Sequence, residues 1–280
     1  MFLGNVLTIL AVAAILGFAT TAQAATIAYW KLDDLTGNDS VGTYSLSNLS
    51  GAQTTNIAPN PVPNPDTGPT AANPNAVGSS PVFQRSTADT TFNMTSSSSF
   101  TFEGWFQTGD VVDTGVTGVI GGNRRGSAGQ FDPLKFRGWV VWMRDDGLVE
   151  FLIQRDFFGA EPLNKSIITT SQFDDSNPYH FAAVWDHDNG ATGTFSLYVA
   201  GSLIGSEAGF GDLAEGNTNF TLGSRANPYP FNSWTGELDE MRFSNEALTQ
   251  AQFLSAPEPS SLLLALVGLG LLASRRRRGT

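Results

Sequence analysis

Apolar and polar side chains alternate along many short stretches between residues 26 and 256. Three of these stretches are 100–107, 179–186 and 195–199, where the apolar residues recur at every second position. Successive side chains of a β-strand point to opposite faces, so a period of two predicts strands that bury one face. Only 245–253 has a helix-like pattern, and it is short. Many short strands separated by turn residues predict an all-β fold, either a sandwich or a barrel.

Turn-forming residues lie between the strand-like stretches. Asp145, Asp146 and Gly147 separate two apolar runs and predict a β-hairpin. Ala200 and Gly201 predict a second hairpin turn in the same way. These turns indicate that strands adjacent in sequence pair as antiparallel neighbours.

Residues 51–81 differ from the rest of the chain, because they hold seven of its 14 prolines. Proline lacks the N–H that a strand ladder needs, so this stretch is not a central strand. We expect a long surface loop that carries extended segments within one domain, 25–256. A linker between two domains is the alternative, but the residues before it are too few to fold alone.

The N-terminal 24 residues have the pattern of a secretory signal peptide. An apolar run at 6–18 is followed by Ala22-Gln23-Ala24, a typical signal peptidase cleavage site. The run departs from the usual pattern in having no Lys or Arg before it. A buried N-terminal helix is the alternative.

The C-terminal 24 residues, 257–280, have three parts in order. Pro257, Glu258 and Pro259 precede an apolar stretch at 261–273, and Arg275, Arg276, Arg277 and Arg278 follow it. As a helix the stretch spans about 20 Å, less than the ~30 Å hydrocarbon core of a bilayer. We therefore expect an apolar sorting helix that enters the membrane transiently, with the arginines on the cytoplasmic side. A permanent tail anchor is the alternative.

This tail resembles the PEP-CTERM sorting signal of Gram-negative bacteria. The resemblance implies that an exosortase-type membrane protease cleaves near Pro257. It also implies export to the cell surface or the extracellular matrix, through a transient inner-membrane intermediate.

Charge and composition exclude several classes of function. The net charge is −11, and the loss of both ends, which carry one carboxylate and four arginines, leaves −14. So acidic a surface repels nucleic acid. The chain has no cysteine and two histidines, which excludes disulfides, a thiol nucleophile and a multi-histidine metal site.

The body of the chain resembles a concanavalin A-like, laminin-G-type domain. The segments that carry the resemblance are 28–33, 39–40, 100–106, 179–186, 195–201, 220–224 and 236–243. One departure is Ala200, where the family usually has Asp. The resemblance implies a two-sheet antiparallel jelly roll, and a binding or interaction module more often than an enzyme.

The resemblance also implies one Ca²⁺ between an early loop and the last strand, with Asp39 and Asp239 as candidate ligands. Asp33 and Asp34 are weaker candidates. Calcium takes six to eight oxygen ligands, which carboxylates and carbonyls supply. The alternative is that Asp39 caps a turn and Asp239 lies at a solvated strand end.

A catalytic carboxylate pair is the second interpretation of the last strand. Glu237 and Asp239 share a face of a regular strand, as in laminarinase-type β-glucanases, where a retaining pair lies about 5 Å apart. The next partner should be at 241 or 242, but these are Met241 and Arg242. We therefore expect no catalytic residues.

Aromatic rings are the remaining sign of a ligand, because sugars stack on exposed rings. Trp142, Tyr229 and Trp234 are the candidates, although each could instead belong to the core. We expect a non-catalytic binding module for polysaccharide or matrix components. A glycoside hydrolase or lyase of the same fold, or a purely structural matrix protein, are the alternatives.

Overall fold

The computed structural model describes residues 26–32, 37–48, 53–55, 71–73, 83–84, 90–92, 98–108, 118–123, 138–154, 164–187, 192–210, 219–223, 234 and 236–254. The predicted signal peptide, 1–24, and the predicted sorting tail, 257–280, lie outside these residues. Within the described part of the chain, no helix is long and apolar enough to cross a membrane.

The described residues form β-strands and two short 3₁₀ turns, Thr90–Phe92 and Gln250–Gln252. The strands are β1 (Thr26–Trp30), β2 (Ser47–Asn48), β3 (Gln53–Thr55), β4 (Ala71–Asn73), β5 (Phe83–Gln84), β6 (Phe100–Gln107), β7 (Gly118–Gly122), β8 (Gly138–Met143), β9 (Val149–Gln154), β10 (Asn164–Ile168), β11 (Tyr179–His187), β12 (Gly193–Val199), β13 (Ser202–Phe210), β14 (Thr221–Leu222) and β15 (Glu237–Ser244).

The strands form two antiparallel sheets. The first sheet has the order β13-β12-β11-β6-β15-β4-β3, and β1 also pairs with β15. The second sheet has the order β10-β9-β8-β7-β14-β5-β2. The predicted all-β sandwich of two antiparallel sheets is thus confirmed.

The core lies between the two sheets and is rich in aromatic rings. Trp139 of the second sheet packs against Phe100 and Phe102 of the first, with ring centroids 5.0 and 5.2 Å apart. All three side chains are at most 1% exposed. Their positions are those of the inward face that the alternating pattern predicts.

Both predicted hairpins form. β8 and β9 pair around the turn at Asp145–Gly147, whose glycine has a φ of +75°. β12 and β13 pair around Ala200 and Gly201, with φ values of 52° and 72°. Two successive positive φ angles are typical of a type I′ turn, whose twist matches that of the strands. Ala200 therefore occupies a conformation that disfavours a Cβ atom.

The proline-rich stretch 51–81 contains β3 and β4. These strands pair with each other, and β4 also pairs with Leu238 of β15. They extend the edge of the first sheet, where proline is tolerated. The other residues of the stretch lie outside the described set.

The predicted helix at 245–253 is a single 3₁₀ turn, Gln250–Gln252. Leu248 and Phe253 are both buried, at 4% and 3% exposure, in one cluster on the outer face of the first sheet. At 3.6 residues per turn, residues five apart lie about 140° apart around a helix, so a helix could not bury both on one sheet. An extended segment with one tight turn can.

Candidate functional site

Trp142 lies on the outer face of the second sheet, in a row of side chains that crosses four strands. Its neighbours along the row are Val119 on β7, Glu150 on β9 and Ile168 on β10. The adjacent residues of β8, Val141 and Met143, belong to the core between the sheets. Alternation along β8 therefore places Trp142 on the opposite face, where it is half-buried.

A hydrogen bond fixes the indole of Trp142. Its Nε1–H donates to Oε2 of Glu150 over 2.8 Å. The carboxylate of Glu150 is 7% exposed, and the indole packs against an apolar cluster of Val119, Val140 and Leu152. A bond to an ionised acceptor is stronger than one between neutral groups, and the packing removes other rotamers. The ring is thus held in place beside a carboxylate, an arrangement suited to stacking on a sugar ring.

The other two predicted ligand-binding rings have different positions. Trp234 is 1% exposed, its indole N–H donates to the carbonyl of Glu237, and its ring meets Phe106 edge-on with centroids 5.8 Å apart. A ring enclosed in the core offers no face to a ligand, so the expectation for Trp234 is corrected. Tyr229 lies outside the described residues.

Asp39 organises the loop that follows β1. Its Oδ1 accepts the N–H groups of Tyr29 and Val41, and its Oδ2 accepts that of Tyr44, each over 3.0 Å. These three bonds, together with an isolated β-bridge between Trp30 and Asp39, hold the loop against β1. They engage much of the carboxylate's acceptor capacity, which favours the turn-forming role over a metal-binding one.

Asp239 lies on β15, on the other side of β1 from Asp39. It is 8% exposed, stands opposite Trp105, and its Oδ1 accepts the N–H of Glu240 over 3.0 Å. Within the described ranges no group of three or more His, Cys, Asp or Glu side chains is placed to hold a metal ion. The calcium site therefore remains a prediction.

A β-bulge interrupts the last strand at its acidic residues. The pairing of β15 with β6 shifts between Asp239 and Arg242, where Glu240 and Met241 together face Gly104. A Cβ atom at Gly104 would lie 2.1 Å from the sulfur of Met241, so any larger residue there would force that buried side chain to move. The bulge follows Glu237 and Asp239, which keep their regular pairing, and it brings position 242 onto their face of the strand. That position is Arg242, so the face has no third carboxylate.

Glu240 is the most unusual group of the bulge. It has a φ of +51°, is 1% exposed, and neither carboxylate oxygen has a hydrogen-bond partner among the described residues. Burial raises the pKa of Glu240 to about 7. A general acid needs such a pKa but must also contact its substrate, and buried oxygens cannot do so.

A buried ionic network, which the sequence did not reveal, lies on the outer face of the first sheet. Glu103 of β6 is fully buried, and it accepts hydrogen bonds from Nε2 of His180 at 2.9 Å and Nε of Arg242 at 2.8 Å. Burial alone would raise the pKa of Glu103, but the His180 hydrogen bond and the Arg242 charge outweigh it and lower that pKa. A lone carboxylate in the apolar strand 100–107 was the signal that could have revealed it.

Two family models match the sequence, and together they cover most of the chain. Residues 69–253 match the concanavalin A-like lectin/glucanases superfamily, and residues 255–278 match the PEP-CTERM protein-sorting motif. The second match contains Pro257, Glu258, Pro259 and the four terminal arginines, and it confirms the resemblance of the tail.

The solved structures to which this chain is similar share little sequence with it. The receptor-binding domain of botulinum neurotoxin type G has 14% identity and a TM-score of 0.52, over 82% of this chain and 50% of that one. Domain 4 of an extracellular GH43 arabinanase from Geobacillus stearothermophilus, in complex with arabinotriose, has 19% identity and a TM-score of 0.46, over 82% and 97%. A CBM40 of an IT-sialidase from Ruminococcus gnavus has 15% identity and a TM-score of 0.41, over 56% and 81%.

Comparison with curated proteins gives no match. The family assignment therefore depends on the match over 69–253, a range that supplies β4 to β15 of the two antiparallel sheets. The chain belongs to the concanavalin A-like lectin/glucanases superfamily and carries a PEP-CTERM protein-sorting motif directly after that domain.

Proposed function

We propose that the protein is an exported, non-catalytic binding module, which its C-terminal motif sorts to the bacterial surface or extracellular matrix. Its ligand is an extracellular polysaccharide. Signal peptidase and an exosortase-type membrane protease process the two ends, and the tail enters the inner membrane only transiently.

The match of 255–278 to the sorting motif supports the export part of this proposal. Its test is the intact mass of the protein recovered from the outside of the native host. We expect a chain that begins near Ala25 and lacks Arg275 to Arg278. Recovery of a chain with the four arginines attached would instead identify a permanent tail anchor.

The observation that carries the binding part is the indole of Trp142, held by Glu150 on the outer face of the second sheet. The C–H faces of a sugar stack on an indole, and the buried carboxylate of Glu150 fixes the orientation of this one. Since the bond and the apolar cluster around it already order the ring, binding loses little side-chain entropy. An indole held in this way on a sheet face supports a sugar as the ligand class.

A glucanase-like activity is the alternative, since the superfamily to which the chain belongs includes glucanases. The acidic residues of β15 do not favour it. The bulge brings Arg242, not a third carboxylate, onto the face of Glu237 and Asp239, and the carboxyl group with a raised pKa, Glu240, is buried. Glu103, the other fully buried carboxylate of this sheet, is bound by His180 and Arg242.

A panel of bacterial polysaccharides tests the binding role against the enzymatic and structural ones. We expect retention of the protein on at least one immobilised polysaccharide, with no reducing ends released on long incubation. Release of reducing ends would identify a hydrolase. Retention on none of them, by protein that is shown to be folded, would leave a structural matrix protein.

A further inference from the structure

The last described residues cross the outer face of the first sheet as a strap. This closing strap, 245–254, anchors itself through Leu248 and Phe253, which are buried against Ala182 and Val184. The ring of Phe253 meets that of Tyr198 edge-on, with centroids 5.0 Å apart. An apolar side chain near each end therefore fixes the strap to β11 and β12.

Hydrogen bonds hold the strap between these anchors. The hydroxyl of Thr101 donates to the carbonyl of Glu246 and accepts the N–H of Leu248, each over 2.8 Å. The side-chain amide of Gln250 donates to the carbonyl of Gly201, at the tip of the β12–β13 hairpin. The strap is therefore bound both to the centre of the sheet and to its edge hairpin.

The buried ionic network binds the final turn of the strap. Nη2 of Arg242 donates to the carbonyl of Gln252 over 2.6 Å, and the N–H of Leu254 donates to Oε2 of Glu103 over 2.8 Å. Glu103 is fully buried and is also bound by His180. The network thus holds the backbone of the chain up to Leu254.

The sorting motif begins at the next residue, since its match covers 255–278. A fully extended chain spans at most about 3.6 Å per residue, so Pro257 stands no more than about 11 Å beyond Leu254. A protease cleft takes an extended segment on both sides of the bond that it cleaves. On the N-terminal side that segment would include residues that the strap holds against the sheet.

We propose that the closing strap gates the processing of the sorting motif. This inference depends on the proposed function, in which a membrane protease cleaves near Pro257. With the strap bound, the chain up to Leu254 is folded onto the sheet. Local detachment of the strap frees them, and the protease then transfers the acyl group of the bond to water or another nucleophile while the amine leaves with the tail. The processing rate follows the fraction of molecules with a detached strap.

The test compares strap detachment with processing in the same variants of the full chain. Phe253→Ala removes one anchor of the strap. The control, Ile167→Ala, removes a buried side chain of β10 that belongs to the core between the sheets and not to the cluster that anchors the strap. Detachment is measured as amide hydrogen exchange at Leu248 and Leu254 in precursor purified from a host that lacks the protease. Processing is measured by pulse-chase, with intact mass to identify the cut.

We expect Phe253→Ala to raise the exchange of both amides by at least tenfold and to speed processing by a similar factor. Ile167→Ala should change neither the exchange of the strap amides nor the processing rate. Faster strap exchange with an unchanged processing rate would overturn the gate. A wild-type chain that keeps its tail would overturn the proposed sorting function. Failure of the gate and failure of the sorting function therefore give different results.

A covalent lock tests the gate in the opposite direction, and it does not depend on how Phe253→Ala folds. The chain has no cysteine, so Thr101→Cys combined with Leu248→Cys creates a single pair where a hydroxyl and an amide now lie 2.8 Å apart. We expect the oxidised protein to keep its tail and the reduced protein to lose it. Processing at equal rates in both states, with the disulfide shown by mass to be intact, would refute the gate.

Discussion

Replacement of Glu103 by Gln is predicted to be among the most destabilising changes that preserve side-chain volume. The substitution keeps the shape but removes the negative charge that binds His180, Arg242 and the N–H of Leu254. Gln keeps one neutral acceptor oxygen and replaces the other with an NH2 group, so one of the two partners meets a donor. His180 is 2% exposed and cannot bond to water instead, whereas the side chain of Arg242 is 16% exposed and can be rehydrated in part. Breaking a buried ion pair from one side costs about 3–5 kcal/mol. With one partner rehydrated, we expect a loss of about 3 kcal/mol.

The pH dependence of this loss is part of the prediction. The pKa of Glu103 is lowered in the folded protein, so its ionised form stabilises the fold at every pH above the ordinary range of a carboxylate. That contribution disappears as the pH falls through the lowered pKa. The difference between wild type and Glu103→Gln should therefore stay constant from pH 8 to pH 6 and shrink below about pH 4.

Urea unfolding of the exported protein at several pH values measures this difference. Glu150→Gln is the matched control, because Glu150 is also a buried carboxylate on a sheet face, with the indole of Trp142 as a hydrogen-bond donor. We expect a loss of about 1 kcal/mol for the control. A loss below about 1 kcal/mol for Glu103→Gln, or a difference that grows toward acid pH, would refute the role assigned to the network.

Three further predictions concern the bulge, the hairpin turn and the metal. Glu240→Gln should raise stability at pH 8 by about 3 kcal/mol and hardly at pH 4, because burial raises the pKa of Glu240 from 4.5 to about 7 and the ionised form destabilises the fold. Equal unfolding curves at pH 8 would contradict this. Ala200→Asn should stabilise the protein by about 0.5–1 kcal/mol in urea, since Asn tolerates a φ of 52° better than Ala, and a loss of stability would contradict it. If calcium binds at Asp239, a hundredfold excess of calcium over Kd should add about 2.7 kcal/mol to the free energy of unfolding. Magnesium should substitute poorly, and Asp239→Asn should remove the gain. A melting midpoint unaffected by calcium would exclude the site.

The long strands were predictable because their alternation is a local property. β6, β11 and the β8–β9 hairpin coincide with the alternating stretches and the Asp-Gly turn. The short strands β2 and β5 were not predicted, since two residues carry no periodicity. Their pairing depends on partners more than 30 residues away in the sequence, as between Ser47 and Gln84.

The candidate site was predictable only in part, for a related reason. Trp142 was identified because two tryptophans three residues apart cannot share a strand face, and the structure places Trp139 in the core and Trp142 outside it. The burial of Trp234 and the network around Glu103 depend on which strands are neighbours in the sheets. Glu103 lies 77 residues from His180 and 139 from Arg242, and no local pattern relates positions so far apart.

The affinity of the Trp142→Ala variant for polysaccharide tests the central proposal most directly. Leu203→Ala is the control, because Leu203 is an exposed apolar residue, 53% accessible, on β13 of the other sheet. With a polysaccharide that retains the wild-type protein, and with both variants shown by thermal melting to be folded, binding isotherms give the two affinities. We expect at least a tenfold weaker affinity for Trp142→Ala, equivalent to about 1.4 kcal/mol of binding free energy, and no change for Leu203→Ala. Unchanged binding by Trp142→Ala would contradict the assignment of the ligand to the outer face of the second sheet.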